Sequence, residues 1–327
     1  MPAVVDRLLA SDDPCVRWRA SAKLLGKDSP ALRREVAQSE RVKTLLSERG
    51  PDGTIPCRPY AKWRGAHWLL STLADIGYPA KDPSLIPLRE HELDMLGSGR
   101  PAKIIDGRVR GCASIESNAV WSLLALGLDD ERIDPLVECM IERQWPDGGW
   151  NCDKDPATKI SSFHETLIPL RALALYARSK KNAPAKAAAE RAADIFLKRR
   201  LFRRLRDGEV MCPRFLEFHY PRYWHFDLLF GLVVMAEAGF ITDPRCGDAL
   251  DFVQSKQLPD GGWAADKRWY KVVKRAPGEV SKREFGSTGF SGQSSLVGWG
   301  PVGRTRMNEF VTADALMVLG AAGRLTL

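Results

Sequence analysis

The stretch "QWPDGGW", residues 144–150, governs how the rest of this sequence is interpreted, because it occurs again as "QLPDGGW" at residues 257–263. Looser copies keep its Asp-Gly pair, and the five Asp-Gly pairs in comparable contexts are spaced by 54, 41, 60 and 53 residues. Self-similarity at this spacing predicts a chain built from repeated structural units. In four of the five copies a cysteine follows five or six positions after the aspartate, at Cys57, Cys112, Cys152 and Cys212.

An apolar run follows each of these turns, and it is typical of a helix that is buried on all sides. A sixth run of this kind, "CVRWRASAKLLG", lies near the N-terminus at residues 15–26. Amphipathic segments such as residues 132–144 and 245–257 lie between the runs. About six pairs of buried and amphipathic helices predict an all-α fold, arranged as a closed ring of inner and outer helices. The Asp-Gly turns would join each outer helix to the next inner one, since glycine adopts the positive φ that such turns need.

The two full motif copies resemble the QW repeat of squalene–hopene cyclases, which protein prenyltransferase β subunits share in looser form. The chain is also similar to a bacterial group described as prenyltransferase/squalene oxidase repeat-containing proteins, through "DPCVRWRA", "DGGWNC", "SSFHETL" and "YPRYWHFDLL". The resemblance implies an (α/α)6 toroid spanning residues 1–327 as one domain. It also implies an enzyme that acts on a hydrophobic, isoprenoid or diphosphate-bearing small molecule inside the ring. The alternative is a non-catalytic toroid that carries a hydrophobic ligand or docks a protein.

Composition and hydropathy limit the cellular location and the ligands expected for this chain. The N-terminus shows no secretory signal pattern and no window is apolar enough for a membrane span, so we expect a cytoplasmic protein. Seven cysteines in such a chain are free thiols or metal ligands rather than disulfides. The net charge of +8 permits an anionic ligand. No nucleic-acid-binding pattern is present, whereas peripheral contact with a membrane surface stays open.

Histidines gather where the inner runs begin, and helix N-termini at one mouth of a ring would favour an anion there. We expect His164 and His225 to be acid–base or metal residues, assisted by Glu165, Asp227 and Asp153. A structural role for each histidine is the alternative. The substrate-binding candidates are Trp63, His67, Glu116, Tyr223, Trp224 and Trp299.

Zinc is one interpretation of Cys152, Asp153 and His164, which carry donor atoms that this ion takes. Residues 151–167 are similar to a prenyltransferase segment in which an aspartate precedes a zinc-binding histidine, and that likeness would make His164 the ligand. Those enzymes take their other ligands from a D-x-C stretch, and the D-x-C here, residues 13–15, lies in the wrong repeat. Turn packing is the alternative for the repeated cysteines, of which only those in adjacent repeats can cooperate.

Several signatures of isoprenoid enzymes are missing from the sequence. The D-x-D-D acid of proton-initiated cyclases and the D-D-x-x-D magnesium site do not occur in matching form. Residues 264–306 are long for a loop within a compact domain. That segment is therefore either a lid over the mouth of the ring or a plain surface insertion.

Overall fold

The structure, a computed structural model, describes residues 3–97, 102–273 and 293–325. Within these ranges the chain is mostly helical, which confirms the prediction of an all-α fold. Two short strand pairs accompany the helices, β1 (Lys103–Ile105) with β2 (Arg108–Arg110) and β3 (Lys271–Val272) with β4 (Ser294–Ser295). The α-helices are α1 (Ala3–Leu9), α2 (Pro14–Trp18), α3 (Pro30–Gln38), α4 (Glu40–Leu46), α5 (Ala66–Asp75), α6 (Ile86–Gly97), α7 (Ala113–Leu126), α8 (Ile133–Glu142), α9 (Phe163–Lys180), α10 (Ala183–Lys198), α11 (Leu228–Ala238), α12 (Gly247–Ser255) and α13 (Glu309–Ala321).

Each of the six apolar runs contains helix, and these helices are the buried ones. α5, α7, α9, α11 and α13 are covered along most of their length, and α2 continues into a π-helical turn at Arg19–Leu24. α5 packs on α7, α7 on α9, α9 on α11, and α11 on α13, while α13 packs on the Arg19–Leu24 turn. The amphipathic helices α8, α10 and α12 pack on α7, α9 and α11 respectively. α6 packs on α5, but its apolar residues are not concentrated on one face.

Both complete copies of the motif make the same hydrogen bonds. The Gln144 amide donates to the carbonyl of Gly148 at 2.7 Å, and the Gln257 amide donates to Gly261 at 3.0 Å. The backbone of Trp145 donates to Gly149, and Leu258 donates to Gly262, both at 2.8 Å. These turns are therefore scaffold, as the repeat predicts.

The tryptophan that closes each motif joins an outer helix to an inner one. The Trp150 indole donates to the carbonyl of Met140 in α8 at 3.0 Å, and its backbone nitrogen donates to the Thr166 hydroxyl in α9 at 3.2 Å. The second copy repeats both bonds with the corresponding elements. They run from Trp263 to Val253 in α12 at 2.7 Å and to Thr312 in α13 at 2.9 Å.

Positive φ occurs at the glycine of all five Asp-Gly turns, with values from 69° to 105°. Gly148, at 105°, also lies where an added Cβ would be 2.6 Å from the backbone oxygen of Arg191. Gly208 has φ of 73° but nothing within 4 Å of such a Cβ. An alanine at Gly208 would therefore meet backbone strain alone, whereas an alanine at Gly148 would meet backbone strain and a steric clash.

We expect Gly148→Ala to destabilise the protein by roughly 3 kcal/mol, since backbone strain and a backbone contact add together. Gly208→Ala, which meets strain alone, should lose about 1 kcal/mol. Urea unfolding of the two variants measures this difference. Equal losses would show that the Arg191 contact relaxes without a free-energy cost.

Charged side chains lie inside the helical core, where they link buried helices that are far apart in sequence. Arg19 donates to the Asp314 carboxylate at 2.7 Å, and to the backbone oxygen and carboxylate of Asp75 at 2.8 and 3.0 Å. Arg171 donates to Glu237 at 2.5 and 2.9 Å. These bonds connect the π-helical turn with α5 and α13, and α9 with α11.

No helix in the described ranges is long and apolar enough to cross a membrane.

Candidate functional site

The N-terminal ends of α7, α9 and α11 carry most of the residues predicted for the site. Cys112 is the N-cap residue of α7, and His164 and Glu165 lie in the first turn of α9. His225 precedes Asp227, the N-cap of α11. The structure brings His164 and His225 together, with ring centroids 6.4 Å apart.

His225 lies inside a stack of four rings. Trp224 packs on one face with centroids 4.4 Å apart, and Trp269 packs on the other at 3.8 Å with planes within 6°. His219 continues the stack beyond Trp269, at 4.6 Å. Trp63 approaches His225 edge-on at 5.8 Å and donates its indole N–H to the carbonyl of Trp269 at 2.9 Å.

The hydrogen bonding of His225 leaves one of its nitrogens available. Its Nδ1 lies 3.1 Å from the carbonyl oxygen of Arg222, so Nδ1 carries the proton and Nε2 has an open lone pair. Burial lowers the pKa of His225 to about 3, and the nearby charges of His164 and Lys62 act in the same direction. The imidazole is therefore neutral at physiological pH.

His164 is half-buried, and no described residue hydrogen-bonds to its ring. It packs edge-on against Trp224 at 5.4 Å and lies 5.8 Å from the ring of Phe215. Burial lowers the pKa of His164 below its ordinary value. Two neutral imidazoles thus lie against the same tryptophan, and both can accept a hydrogen bond from a ligand.

A separate group forms next to His164 around Glu165. One ligand atom from each of Cys112, Cys152 and Glu165 lies within 4.8 Å of the other two. The Cys152 thiol donates to Glu165 Oε1 at 3.5 Å, and the backbone of Ser114 donates to Glu165 Oε2 at 3.1 Å. The hydrogen bond with Cys112, together with burial and the Glu165 charge, raises the pKa of Cys152, and burial raises that of Glu165.

Two of the predicted acidic residues have other partners. Asp153 is exposed, and its carboxylate accepts hydrogen bonds from the backbone of Asp155 at 3.0 Å and the hydroxyl of Thr158 at 2.9 Å. The three predicted zinc ligands therefore do not come together, because Asp153 closes a surface turn while Cys152 joins Cys112 and Glu165.

Asp227 caps α11 by accepting the backbone N–H of Phe230 at 2.8 Å. Its other carboxylate oxygen accepts the backbone N–H of His219 at 3.1 Å and lies 3.3 Å from Nδ1 of that histidine. The acid expected to assist His164 or His225 is thus partnered with His219.

The predicted substrate-binding residues separate into two sets. Trp63, Tyr223 and Trp224 lie with the histidines, and the rings of Trp63 and Tyr223 stack at 3.9 Å. Tyr223 has φ of 54°, which is rare outside glycine and is often found at functional positions.

The other three lie elsewhere. His67 is fully buried, with Nδ1 2.7 Å from Glu92 and Nε2 3.2 Å from the Asn118 amide, so its partners are those of a core histidine. Glu116 lies in a crevice between α7 and α8. Trp299 is buried against Phe310, beneath the Arg41 guanidinium.

A small cavity lies between α5, α7, α9 and α11, and it is more polar than expected. Its volume is about 40 Å³, and its lining includes Asp75, Asn118, Trp121, Arg171, Tyr220 and Arg222. Sites for drug-sized molecules enclose roughly 300–1,000 Å³. This space holds a few waters and not an isoprenoid chain.

The sequence did not indicate Lys62, which contributes to this region together with Trp269. The Lys62 ammonium lies 5.3 Å from the Trp63 ring and 5.2 Å from the Trp224 ring. Burial lowers its pKa. Trp269 belongs to the long loop at 264–306, for which the sequence left a lid and a plain surface insertion open and whose aromatic residues could cover the mouth of the ring. Residues 274–292 of this loop lie outside the described ranges. Only the repeat phase, which aligns Cys112 with Cys152, offered a signal for the cysteine group.

No protein-family model matches this sequence, and a comparison with curated proteins gave no match either. What the site can do therefore follows from its own residues.

Proposed function

We propose that the chain is an (α/α)6 toroid. The packing of each buried helix on the next supports this arrangement, as does the bond from Arg19 to Asp75, which links the first buried segment to α5. The further helix packed on each of α5, α7, α9 and α11 supports it as well. The repeated hydrogen bonds of the two motif copies agree with a chain of equivalent units.

We further propose that the protein is an enzyme acting on a small molecule with a hydrophobic, isoprenoid-like part and an anionic group. The observation that carries this proposal is the pairing of two neutral imidazoles, His164 and His225, against the same tryptophan. Each has a ring nitrogen able to accept a hydrogen bond from a substrate. His164 is the one that would take a proton as general base, because burial lowers the pKa of His225 to about 3 and makes that imidazole a weak base. Aromatic faces stabilise the positive charge that develops when an isoprenoid diphosphate ionises.

Lys62 supports the anionic part of this proposal. It forms no ion pair with a described residue, and it lies over the rings of Trp63 and Trp224 that flank His225. The Cys112 thiol is an acidic group close enough to interact with Lys62. A half-buried ammonium that forms no ion pair with a described carboxylate favours binding of a phosphate or carboxylate. The ligand would lie at the helix N-termini beside these rings, because the cavity deeper in the fold is too small for it.

Tryptophan fluorescence tests this proposal with three probes: farnesyl diphosphate, farnesol and inorganic diphosphate. We expect farnesyl diphosphate to quench the emission, and Lys62→Gln to weaken its binding about tenfold or more, since a charged hydrogen bond is lost. Lys186→Gln, the same change on the exposed side of α10, is the matched control. No response to any probe would contradict the isoprenoid proposal.

Release of inorganic diphosphate from farnesyl diphosphate separates an enzyme from the rival carrier function. Turnover by the wild type that is lost in His164→Ala supports catalysis. Equal binding of farnesol and farnesyl diphosphate with no turnover would instead support a toroid that carries a hydrophobic ligand.

A further inference from the structure

Cys112, Cys152 and Glu165 come from three different segments, yet their ligand atoms lie within 4.8 Å of one another. Cys112 caps α7, Cys152 follows the first Asp-Gly-Gly-Trp turn, and Glu165 belongs to the first turn of α9. Cys112 and Cys152 hold comparable positions in consecutive repeats, six and five residues after the aspartate of the Asp-Gly pair. Four repeats have a cysteine at this position, and within the described ranges this pair alone belongs to such a group.

The charge around this group favours a cation. Glu165 is buried, with 5% of its surface exposed, and none of the described lysines or arginines forms an ion pair with it. The backbone N–H of Ser114 bonds to Oε2, so Oε1 is left to the Cys152 thiol at 3.5 Å. A buried carboxyl group beside two thiols brings three acidic groups together. The Lys62 ammonium lies close enough to interact with Cys112, but no described lysine or arginine forms an ion pair with Glu165. Such an arrangement is expensive unless the groups stay protonated or a metal ion joins them.

We propose that Cys112, Cys152 and Glu165 form a binding site for a thiophilic divalent cation, with zinc the ion that this donor set fits best. Thiolates select zinc over magnesium and calcium, which prefer oxygen ligands. The 3.5 Å between Cys152 Sγ and Glu165 Oε1 agrees with two neighbouring corners of a tetrahedron whose bonds are about 2.0–2.3 Å long. Three protein ligands leave one position for water or a substrate atom, as in catalytic zinc sites.

This site is distinct from the proposed pair of imidazoles. His164 precedes Glu165 in sequence, but its donor atoms do not belong to the group. The metal site therefore does not depend on the isoprenoid proposal. Failure of the farnesyl diphosphate assay leaves it intact, and absence of metal leaves the imidazole pair intact.

Cobalt substitution tests the site in the full-length protein, kept reduced with a phosphine and stripped of metal with a chelator. We expect Co²⁺ to bind one per chain and to give the intense thiolate-to-cobalt absorption of a tetrahedral thiolate site. Zinc should abolish that absorption by displacing cobalt. Cys112→Ser and Cys152→Ser should each remove most of it.

Two further variants show whether a loss of cobalt binding comes from the loss of a ligand or from misfolding. Glu165→Gln retains an amide oxygen that can accept the Ser114 N–H, so the variant should fold. Because it lacks the carboxylate, it should bind cobalt at least about tenfold more weakly than the wild type. Cys212→Ser changes the same repeat position without a neighbouring ligand, and its spectrum should match the wild type. Wild-type protein without thiolate absorption, or variants at Cys112 and Cys152 with unchanged absorption, would overturn the proposal. In that case Glu165 would act only as a cap for α7.

Discussion

Replacing Arg19 with leucine is expected to lower the free energy of unfolding by about 3–5 kcal/mol, because the change removes a buried guanidinium that bonds to two carboxylates in the core. Asp314 would keep its hydrogen bond from Arg222, so the loss is that of one of its two guanidinium partners. Only 1% of the Arg19 surface is exposed, and its guanidinium bonds to both Asp314 and Asp75. Asp314 is equally buried, so it cannot recover the lost interaction from water. This loss would be among the largest for a single substitution in the chain.

The size of this stability loss depends on the burial of Arg19, and an exposed ion pair provides the comparison. Arg7 pairs with Asp260 at 3.3 Å, with nearly half of each side chain exposed. Arg7→Leu should therefore change stability by no more than about 1 kcal/mol. Chemical denaturation of both variants, with a check that the transition remains two-state, measures the contrast.

A double substitution shows whether Arg19 stabilises the protein through its charge or through the packing of its side chain. Arg19→Leu combined with Asp314→Leu removes both charges, and buried pairs replaced by apolar residues are often nearly neutral. Asp75 would remain, held by the Tyr220 hydroxyl at 2.9 Å and by Lys23 at 3.3 Å. Arg222 would lose its bond to Asp314 but keep Asp227 at 3.6 Å. The double variant should thus lose less than the sum of the two single variants. Additive losses would mean that packing around Arg19, rather than charge, determines its contribution.

The repeat allowed the turns and buried helices to be predicted from the sequence, whereas the buried charged residues could not be predicted. Asp-Gly pairs followed by apolar runs specify turns and buried helices through local chemistry, and each run forms helix where the pattern indicates. Arg19 and Arg171 lie within those same apolar runs. Local sequence gives no sign that a charged residue points inward, since its carboxylate partners come from helices distant in the chain.

In the candidate site, too, features set by the repeat were predictable, whereas contacts between distant segments were not. His164 and His225 were expected together because both begin inner helices, and their rings do meet. Asp153 was assigned to the site because residues 151–167 resemble a prenyltransferase segment in which an aspartate precedes a histidine, but a short surface turn uses its carboxylate instead. Trp269 contacts His225 from a segment with no repeat signal, so only the folded structure connects the two.

Replacing Trp150 with alanine is expected to cost about 3–5 kcal/mol, the usual range for removing a buried aromatic residue. Its indole is almost fully buried and donates to the Met140 carbonyl, while its backbone bonds to Thr166. The substitution therefore opens a cavity and leaves a buried carbonyl of α8 without a donor. Trp150→Phe should cost less, because most of the packing volume remains.

The second copy of the motif provides an internal test of this argument. Trp263 makes the corresponding bonds to Val253 and Thr312, so Trp263→Ala should produce a loss similar to that of Trp150→Ala. The two tryptophans share none of these hydrogen-bond partners, and distant sites add to within about 0.5 kcal/mol. Urea unfolding of both single variants and the double variant measures the sum. A double variant that loses much less than this sum would show that the repeats do not contribute as independent units, and a single loss below about 1 kcal/mol would contradict the structural role of the motif.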